Sequence, residues 1–300
     1  MAIESPARPV MRSAPAPHHP VARLHVPDRS LRGEIRAIKV VWRRELIRFS
    51  RDRLRILTSL VQPFLFLFVL GTGLSKLVST AAHGISFRTF IYPGVLCLAV
   101  MFTAMFSAAS IVWDREFGFL REMMVAPVRR SSIVLGKCLG GATVATFQGV
   151  IVIAIGPLVG IPYELTLMLE MLGLTLLLAF SITAFGVMAA ARVSQMQSFM
   201  ALMQMVMMPM FFLSGALFPI AGLPWLLAIL NRLDPLTYAV DPMRKAVFAH
   251  LDISQAARRA LDPGVTWWGW KVPGLIEAAV IALLGLVMLL IAIAEFSRAE

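Results

Sequence analysis

The sequence predicts an all-α membrane protein with six transmembrane helices and both termini in the cytoplasm. Of its 300 residues, 58% are hydrophobic and 15% are charged, whereas about a quarter of a soluble domain is charged. Six apolar segments reach the roughly 20 residues that a helix needs to cross the hydrocarbon. Twenty of the 28 Lys and Arg residues fall on segments that would share one side. This bias marks a cytoplasmic face, so the net charge of +11 indicates membrane topology and not nucleic-acid binding.

The chain begins with a tail, 1–30, that holds six prolines and no apolar run. Such a segment lacks the apolar core of a secretory signal peptide and cannot bury enough surface to fold. We expect a disordered cytoplasmic tail. The next segment, 31–53, repeats apolar residues at steps of three and four from Leu31 to Phe49, with basic residues on the other faces. This pattern is typical of an amphipathic helix in the membrane interface.

The transmembrane region is predicted over 54–295. A second apolar piece, "IAGLPWLLAIL" (220–230), follows the fifth span and is too short to cross alone. It predicts a re-entrant hairpin within an outer segment, 219–272. Three tryptophans near the end of this segment, at 267, 268 and 270, are typical of an interfacial aromatic belt. The predicted spans are 56–75, 89–112, 133–159, 168–191, 198–220 and 273–294.

Ionisable side chains are predicted to be absent from the interiors of these spans. Proton-coupled carriers need such groups at depth, so their absence argues against a proton-driven pump and against intramembrane catalysis. The polar side chains that remain at depth are hydroxyls and amides. The amides (Gln62, Gln148, Gln195, Gln197 and Gln204) are more typical of interhelical contacts than of ligand binding. Methionines are frequent in the fifth span, and Met adapts its shape at promiscuous binding surfaces. The histidines and the two cysteines show no metal-ligand spacing, and no metal site is expected.

A charged segment separates the second and third spans. Phe117, Leu120 and Met124 recur at helical steps, and Pro127 would end the helix. We predict a short amphipathic helix over 114–128. The "LGK" that follows is not a phosphate-binding loop, because the motif needs Gly at 131 and Ser or Thr at 138, where the chain has Ser131 and Cys138.

The stretch "DREFGFLREMMVAPVRRSSIVLGK" resembles the cytoplasmic signature of the ABC type-2 permeases, which reads Glu-x-Gly-Thr-Leu-Glu, then Pro, then Gly-Lys. The chain departs from this pattern at Phe119 and Arg121. A second stretch, "FFLSGALFPIAGLPWLLAILNRLDPLTYAVDPMRKAV" (211–247), resembles the family's fifth span and the hairpin after it. The resemblance covers 31–295 and is nearest to daunorubicin-resistance drug exporters and nodulation lipo-oligosaccharide exporters. The matching signature residues are Glu116, Gly118, Leu120, Pro127, Gly136 and Lys137.

The resemblance implies a permease subunit of the plasma membrane that works as a homodimer or heterodimer with cytoplasmic ABC ATPase subunits. It implies that segments 34–50 and 114–128 contact those subunits, and that ATP and magnesium bind the ATPase, so this chain binds no cofactor and has no catalytic residue. The residues expected to couple to the ATPase are Glu116, Gly118, Leu120, Glu122, Pro127, Arg129, Arg44 and Glu45.

We therefore expect an exporter of an amphipathic or hydrophobic substrate, such as a drug, a glycolipid or a lipid-linked saccharide. Its cavity would lie between two copies of the chain and involve spans two and five. The candidate substrate pathway comprises Gln204, Met203, Met207, Phe211 and Phe102. A candidate outer gate comprises Pro219, Pro224, Asp234 and Pro235.

Two other classes of function are compatible with the residues. An ATP-independent channel, carrier or scaffold subunit would transport without an ATPase partner. A membrane enzyme acting on lipid would have to use residues of the outer segment, such as Asp241, His250 and Asp252. Their spacing fits no catalytic arrangement that we recognise, and no side-chain pattern in the sequence selects a particular cargo.

Overall fold

The computed structural model describes residues 30–78, 86–119, 128–220, 224–251 and 253–298, without 256, 257, 259, 260, 262, 263 and 268. The described part is helical apart from a short antiparallel strand pair. The tail predicted over 1–30 lies outside it except for Ser30. The elements are α1 (Leu31–Arg51), α2 (Arg53–Phe64), a π-helical turn (Leu65–Leu70), α3 (Gly71–Val78), α4 (Phe87–Glu116), α5 (Arg130–Ile155), a 3-10 turn (Gly156–Val159), α6 (Leu165–Arg192), α7 (Met196–Leu213), α8 (Trp225–Leu233), α9 (Thr237–Ala249), β1 (Thr266–Trp267), β2 (Trp270–Lys271) and α10 (Gly274–Arg298).

Among the described residues, six helices are long and apolar enough to span a membrane, which agrees with the predicted number. Span one is formed by α2, the π-helical turn and the first part of α3. Spans two, three and four are α4, α5 and α6, and spans five and six are α7 and α10. Helix α1 lies at the end of this bundle where span two finishes and span three begins. We call this end of the bundle the α1 end.

Local signals explain how α1 and span one are separated. Ser30 caps α1, because its hydroxyl accepts a hydrogen bond from the Gly33 backbone N–H at 3.1 Å. Asp52 interrupts the helix and caps α2 by accepting from the Arg55 N–H at 3.0 Å. Within span one, Pro63 precedes the π-helical turn, which is a common way for a helix to adjust its hydrogen bonds beside a proline.

Span two is the centre of the bundle, since 83% of its apolar stretch is buried against 17% for span one and 22% for span five. Small residues allow its neighbours to pack closely, as expected for membrane helices. A Cβ at Gly141 would lie 2.6 Å from the Thr183 methyl, and one at Gly149 would lie 2.4 Å from the Thr175 methyl. Spans three and four therefore approach each other at glycine positions, while spans one and five leave large apolar faces uncovered in the single chain.

One predicted amide contact is confirmed. Gln148 in span three is fully buried and accepts a hydrogen bond from the Ser59 hydroxyl of span one at 3.1 Å. Its amide also donates to the Ser59 carbonyl at 3.3 Å. Gln148 therefore holds span one against span three.

The structure corrects two boundaries. The helix predicted over 114–128 does not begin at Asp114, because residues 114–116 form the last turn of span two. Gly118 then has a φ of 81°, a conformation that glycine adopts without steric cost, and 120–127 lies outside the described residues. Span five ends at Leu213, where a turn follows, and does not continue to residue 220.

The described residues of the predicted outer segment include helices α8 and α9 and the strand pair. Helix α8 exposes large apolar side chains, among them Trp225 and Leu226, and its insertion as a re-entrant hairpin stays a prediction. Helix α9 is almost entirely buried. Trp267 and Trp270 pair across the two strands, and Trp267 donates to the Tyr238 hydroxyl at 3.1 Å. Trp268 lies outside the described residues.

Candidate coupling and transport sites

A buried charged cluster joins α1 to spans two and three. We call Lys137, Glu45, Asp114 and Ser110 the Lys137 cluster. The Lys137 ammonium donates to Glu45 Oε1 at 2.6 Å, to Asp114 Oδ2 at 2.5 Å and to Ser110 Oγ at 3.0 Å. All four residues are buried. The three donor hydrogens of the ammonium are thereby used, which is the condition under which a buried ion pair is tolerated.

Two arginines of α1 extend this cluster toward the surface. Arg44 Nη2 lies 3.0 Å and Arg48 Nη1 lies 3.9 Å from Asp114 Oδ1. The Arg48 guanidinium also stacks over the Trp113 ring, 4.9 Å from its centroid. Because α1 supplies both a carboxylate and two cations to the same cluster, it can neither slide nor rotate on span two without breaking several charged contacts.

Close helix packing holds α1 at the same place. A Cβ at Gly136 would lie 2.7 Å from Val41 Cβ, and one at Gly140 would lie 2.7 Å from Glu45 Cβ. Trp42 adds a hydrogen bond from its indole N–H to the Thr143 hydroxyl at 3.1 Å. The glycine and lysine of the "LGK" stretch therefore seat α1 on span three.

Further contacts connect the helix ends at the α1 end of the bundle. The Arg115 guanidinium donates to carbonyls at the end of span four, including Val193 at 2.8 Å. Glu116 Oε2 accepts a hydrogen bond from the Met196 N–H, at the start of span five, at 3.3 Å. Arg130 donates to the Phe296 carbonyl near the end of span six at 3.2 Å. The last turn of span two thus reaches spans four and five together.

The structure places the predicted coupling residues as follows. Glu45 belongs to the Lys137 cluster, and Arg44 contacts its Asp114. Glu116 binds the start of span five. Arg129 is exposed, and its backbone N–H donates to Glu34 of α1. Gly118 provides the break after span two. The remaining members, Leu120, Glu122 and Pro127, lie outside the described residues.

Sequence reasoning did not select Asp114 and Lys137 as site residues. Lys137 is only a signature residue in the sequence, although it lies inside an apolar run. A lysine within a span needs a charged partner, and Glu45, between Trp42 and Phe49 on the apolar face of α1, is the unusual acidic residue that provides one. A lysine inside an apolar run and a carboxylate on the apolar face of α1 together indicate a buried ion pair in the sequence.

An apolar cavity of about 210 Å³ lies between spans two and five. It brings together four of the five predicted pathway residues, namely Phe102, Met203, Gln204 and Met207. Phe211 is not part of its lining and packs against Phe66 of span one with ring centroids 5.8 Å apart. The methionines and aromatic rings give the cavity flexible apolar walls with one amide.

The predicted gate residues lie around α8 and α9. Pro224 immediately precedes α8, and Pro219 and Pro235 are half-buried. Asp234 is buried and caps the turn into α9, since its carboxylate accepts from the Leu236 N–H at 3.0 Å and from the Thr237 hydroxyl at 3.3 Å. Burial raises the pKa of Asp234 to about 7. These contacts give Asp234 a structural role in the turn.

Asp234→Asn is expected to make thermal stability less dependent on pH. Because the folded-state pKa of Asp234 is raised to about 7, the wild type is stabilised by protonation below pH 4 and loses that contribution as the pH rises to 7. The full change is up to about 4 kcal/mol. Unfolding temperatures at pH 5 and 8 should differ less in the variant. An unchanged difference would contradict a buried, protonatable Asp234.

A second charged cluster corrects the prediction that span interiors hold no ionisable group. Glu277, in the first turn of span six, is fully buried and accepts from the Lys245 ammonium at 2.8 Å. The same ammonium lies 2.8 Å from Asp241 Oδ2. Burial alone would raise the pKa of Asp241, but the contacts with Glu277 and Lys245 lower it. We call Lys245, Asp241 and Glu277 the Lys245 cluster. It joins α9 to span six.

The residues considered for catalysis are separated by these contacts. Asp241 belongs to the Lys245 cluster, His250 Nε2 lies 3.6 Å from Glu164 Oε2, and Asp252 lies outside the described residues. Within the described part of the chain, no group of three or more His, Cys, Asp or Glu side chains is arranged to hold a metal ion.

The six apolar helices and the charged cluster that joins them to α1 define a multi-pass helical membrane protein. Comparison with known families then identifies it further. The model of the ABC-2 type transporter family matches residues 36–248, which is most of the chain, including α1, spans one to five and α9. The protein belongs to this family and is a transport permease.

Individual relatives agree with this family. The chain is 29% identical to nodulation protein J of Rhizobium leguminosarum bv. trifolii, over 72% of this chain and 83% of that protein. It is 27% identical to nodulation protein J of Rhizobium leguminosarum bv. viciae, over 80% and 92%. It is also 27% identical to the inner membrane transport permease YadH of Escherichia coli strain K12, over 69% and 81%.

Proposed function

We propose that this permease is the transmembrane half of an ATP-driven exporter of amphipathic or hydrophobic molecules. In this proposal a separate cytoplasmic subunit binds ATP and magnesium and hydrolyses the ATP. That subunit contacts α1 and segment 114–128. The α1 end of the bundle faces the cytoplasm of a plasma membrane. This orientation is supported by the concentration of Lys and Arg at that end, and the location by the similarity to YadH, an inner membrane transport permease.

The observation that carries the proposal is the continuous path from α1 to the apolar cavity. The Lys137 cluster fixes α1 to Asp114 in the last turn of span two. Span two continues from there to Phe102, and Glu116 in the same turn binds the start of span five. Spans two and five form the cavity walls. A force applied to α1 or to segment 114–128 would therefore move both walls.

The uncovered apolar faces of spans one and five support a dimer. Only 17% and 22% of their apolar stretches are buried within one chain, and Met205 and Phe212 of span five are exposed. A second permease copy, with lipid around it, would cover these faces and enclose the cavity between spans two and five from both sides. Helices α8 and α9 would close its outer end.

Glu116→Lys is expected to abolish coupling between ATP hydrolysis and export. The change places a cation at the N-terminus of span five, where the helix dipole favours the native carboxylate. The permease is co-reconstituted with its ATPase, and substrate-stimulated ATPase activity and efflux are measured. Both should fall at least tenfold.

The matched control is Glu164→Lys, because Glu164 is exposed at the opposite end of the bundle. It should retain activity. Unchanged ATPase activity and efflux in Glu116→Lys would contradict the role of this end of span two. Efflux by wild type without the ATPase would instead support the alternative, an ATP-independent channel or carrier.

A further inference from the structure

A larger cleft of about 460 Å³ lies beside the cavity between spans two and five. The end of α1, span one, span two and the start of span five form its walls. Phe102, Phe106 and Met200 line both the cleft and the cavity, so the two spaces adjoin. The cleft therefore provides a route between span one and the candidate transport cavity.

Arg55 places a charge in this otherwise mainly apolar cleft. It lies in the first turn of span one, and its guanidinium carbon is 5.9 Å from the centroid of the Phe106 ring. Its Nη2 atom is buried and has no hydrogen-bond partner within the described part of the chain. A buried guanidinium nitrogen without an acceptor is unfavourable, so an acceptor from outside the chain would stabilise it.

The charges around Arg55 favour an anion. Glu45 and Asp114 bind Lys137, whereas Asp52, which also lines the cleft, accepts a hydrogen bond only from the Arg55 backbone N–H. Four cations (Arg44, Arg48, Arg55 and Lys137) thus face three carboxylates (Glu45, Asp52 and Asp114). These residues therefore carry a net positive charge.

We propose that the cleft binds an amphipath with an acidic headgroup that enters from the bilayer. The headgroup accepts hydrogen bonds from Arg55, and the apolar part lies along Phe102, Phe106 and Met200. Arg55 stands at the end of the apolar length of span one, which is the depth of lipid headgroups, and guanidinium forms strong hydrogen bonds with phosphate or carboxylate oxygens. The inference rests on the proposed export function, because it assigns that function a class of cargo.

The test measures lipid binding to the purified permease alone, without ATPase or nucleotide. Its result is therefore independent of whether ATP drives transport. Phosphatidylglycerol and phosphatidylcholine with identical acyl chains are titrated separately in neutral detergent, and bound lipid is counted by native mass spectrometry. Both lipids offer a phosphate to Arg55, but the choline cation of phosphatidylcholine is repelled by the positive charges of the cleft. Wild type should therefore bind phosphatidylglycerol about tenfold more tightly.

Arg55→Gln should lose this preference, and Arg55→Lys should retain most of it. The matched control is Arg53→Gln, since Arg53 is an exposed arginine of the same helical turn and its loss should leave the preference intact. Equal affinity of wild type for the two lipids would overturn the proposal. So would equal effects of Arg55→Gln and Arg53→Gln.

Two further measurements keep the proposal testable if Arg55→Gln does not fold. Thr58 lines the cleft and its hydroxyl bonds only within its own helix, so Thr58→Phe should fill the cleft and lower phosphatidylglycerol binding about tenfold. Unchanged binding would place the lipid elsewhere. Inorganic phosphate should not displace the lipid at equal concentration, and full displacement would show that the apolar walls contribute nothing.

Discussion

Replacing Lys137 with methionine is expected to lower the free energy of unfolding by about 3–5 kcal/mol. Methionine has a similar length but cannot donate the three hydrogen bonds that Lys137 makes to Glu45, Asp114 and Ser110. The Glu45 and Asp114 side chains are 7% and 4% exposed, so two carboxylates would lose their shared cation in a site with little water. The loss of an ion-pair partner in such a site costs more than the pair itself contributed.

The measurement is thermal unfolding of the purified permease, monitored by dye binding or by size-exclusion chromatography after heating. Lys271→Met is the matched control, because Lys271 is exposed on β2 and its replacement should change stability by less than about 0.5 kcal/mol. Equal unfolding temperatures for the two variants would contradict the buried cluster.

A triple variant separates the loss of charge from the loss of packing. Lys137→Met combined with Glu45→Gln and Asp114→Asn leaves no buried carboxylate without a cation. Most of the lost stability should return, since replacing all the buried charges of an ion-pair network is often nearly neutral, and Arg44 and Arg48, which lose Asp114, are partly exposed to water. Stability as low as that of Lys137→Met alone would show that the cluster is held by shape and not by charge.

Gly140→Leu is expected to reduce ATP-driven export at least tenfold while the six spans remain assembled. A Cβ at this position would lie 2.7 Å from Glu45 Cβ and 2.9 Å from Glu45 Cγ, so leucine must push α1 away from span three. The stability cost should be about 1–3 kcal/mol, as for other overpacked sites. The larger effect falls on coupling, because α1 is the element through which the proposed ATPase would act on spans two and five.

Gly173→Leu is the matched control, since Gly173 is also inside a span but nothing lies within 4 Å of its added Cβ. Both variants are reconstituted with the ATPase at equal protein amounts, and efflux per ATP hydrolysed is measured. Gly173→Leu should behave as wild type. Full coupling in Gly140→Leu would show that α1 need not pack on span three for transport.

The sequence allowed the six spans and the amphipathic character of α1 to be predicted correctly. The apolar length of a span is compared with the thickness of a bilayer, and both are independent of how the helices pack. The residues at which each helix begins and ends were harder to predict. Asp114 and Glu116 look like the acidic start of a new helix, yet they complete span two, because partners on α1, span three and span five hold that last turn in place.

The candidate sites also differ in how well the sequence predicts them. The apolar composition of spans two and five was sufficient to predict four residues that share a cavity. The partners of the charged residues depended on tertiary structure, since Lys137 meets Glu45 from 92 residues away in the chain. The contacts of Asp234, a candidate gate residue, also depended on tertiary structure, since it caps a buried turn; its role in a gate stays a prediction.

Hydropathy and charge thus determine which segments cross the membrane and which end of the bundle is basic, because these are properties of each segment in its solvent. Which side chain neutralises which charge, and which charge is left without a partner, depends on how the helices are rotated and how closely they approach. Glycines at 136 and 140 set that approach for α1. The same arrangement leaves the buried Nη2 atom of Arg55 in a mainly apolar cleft, without an acceptor among the described residues.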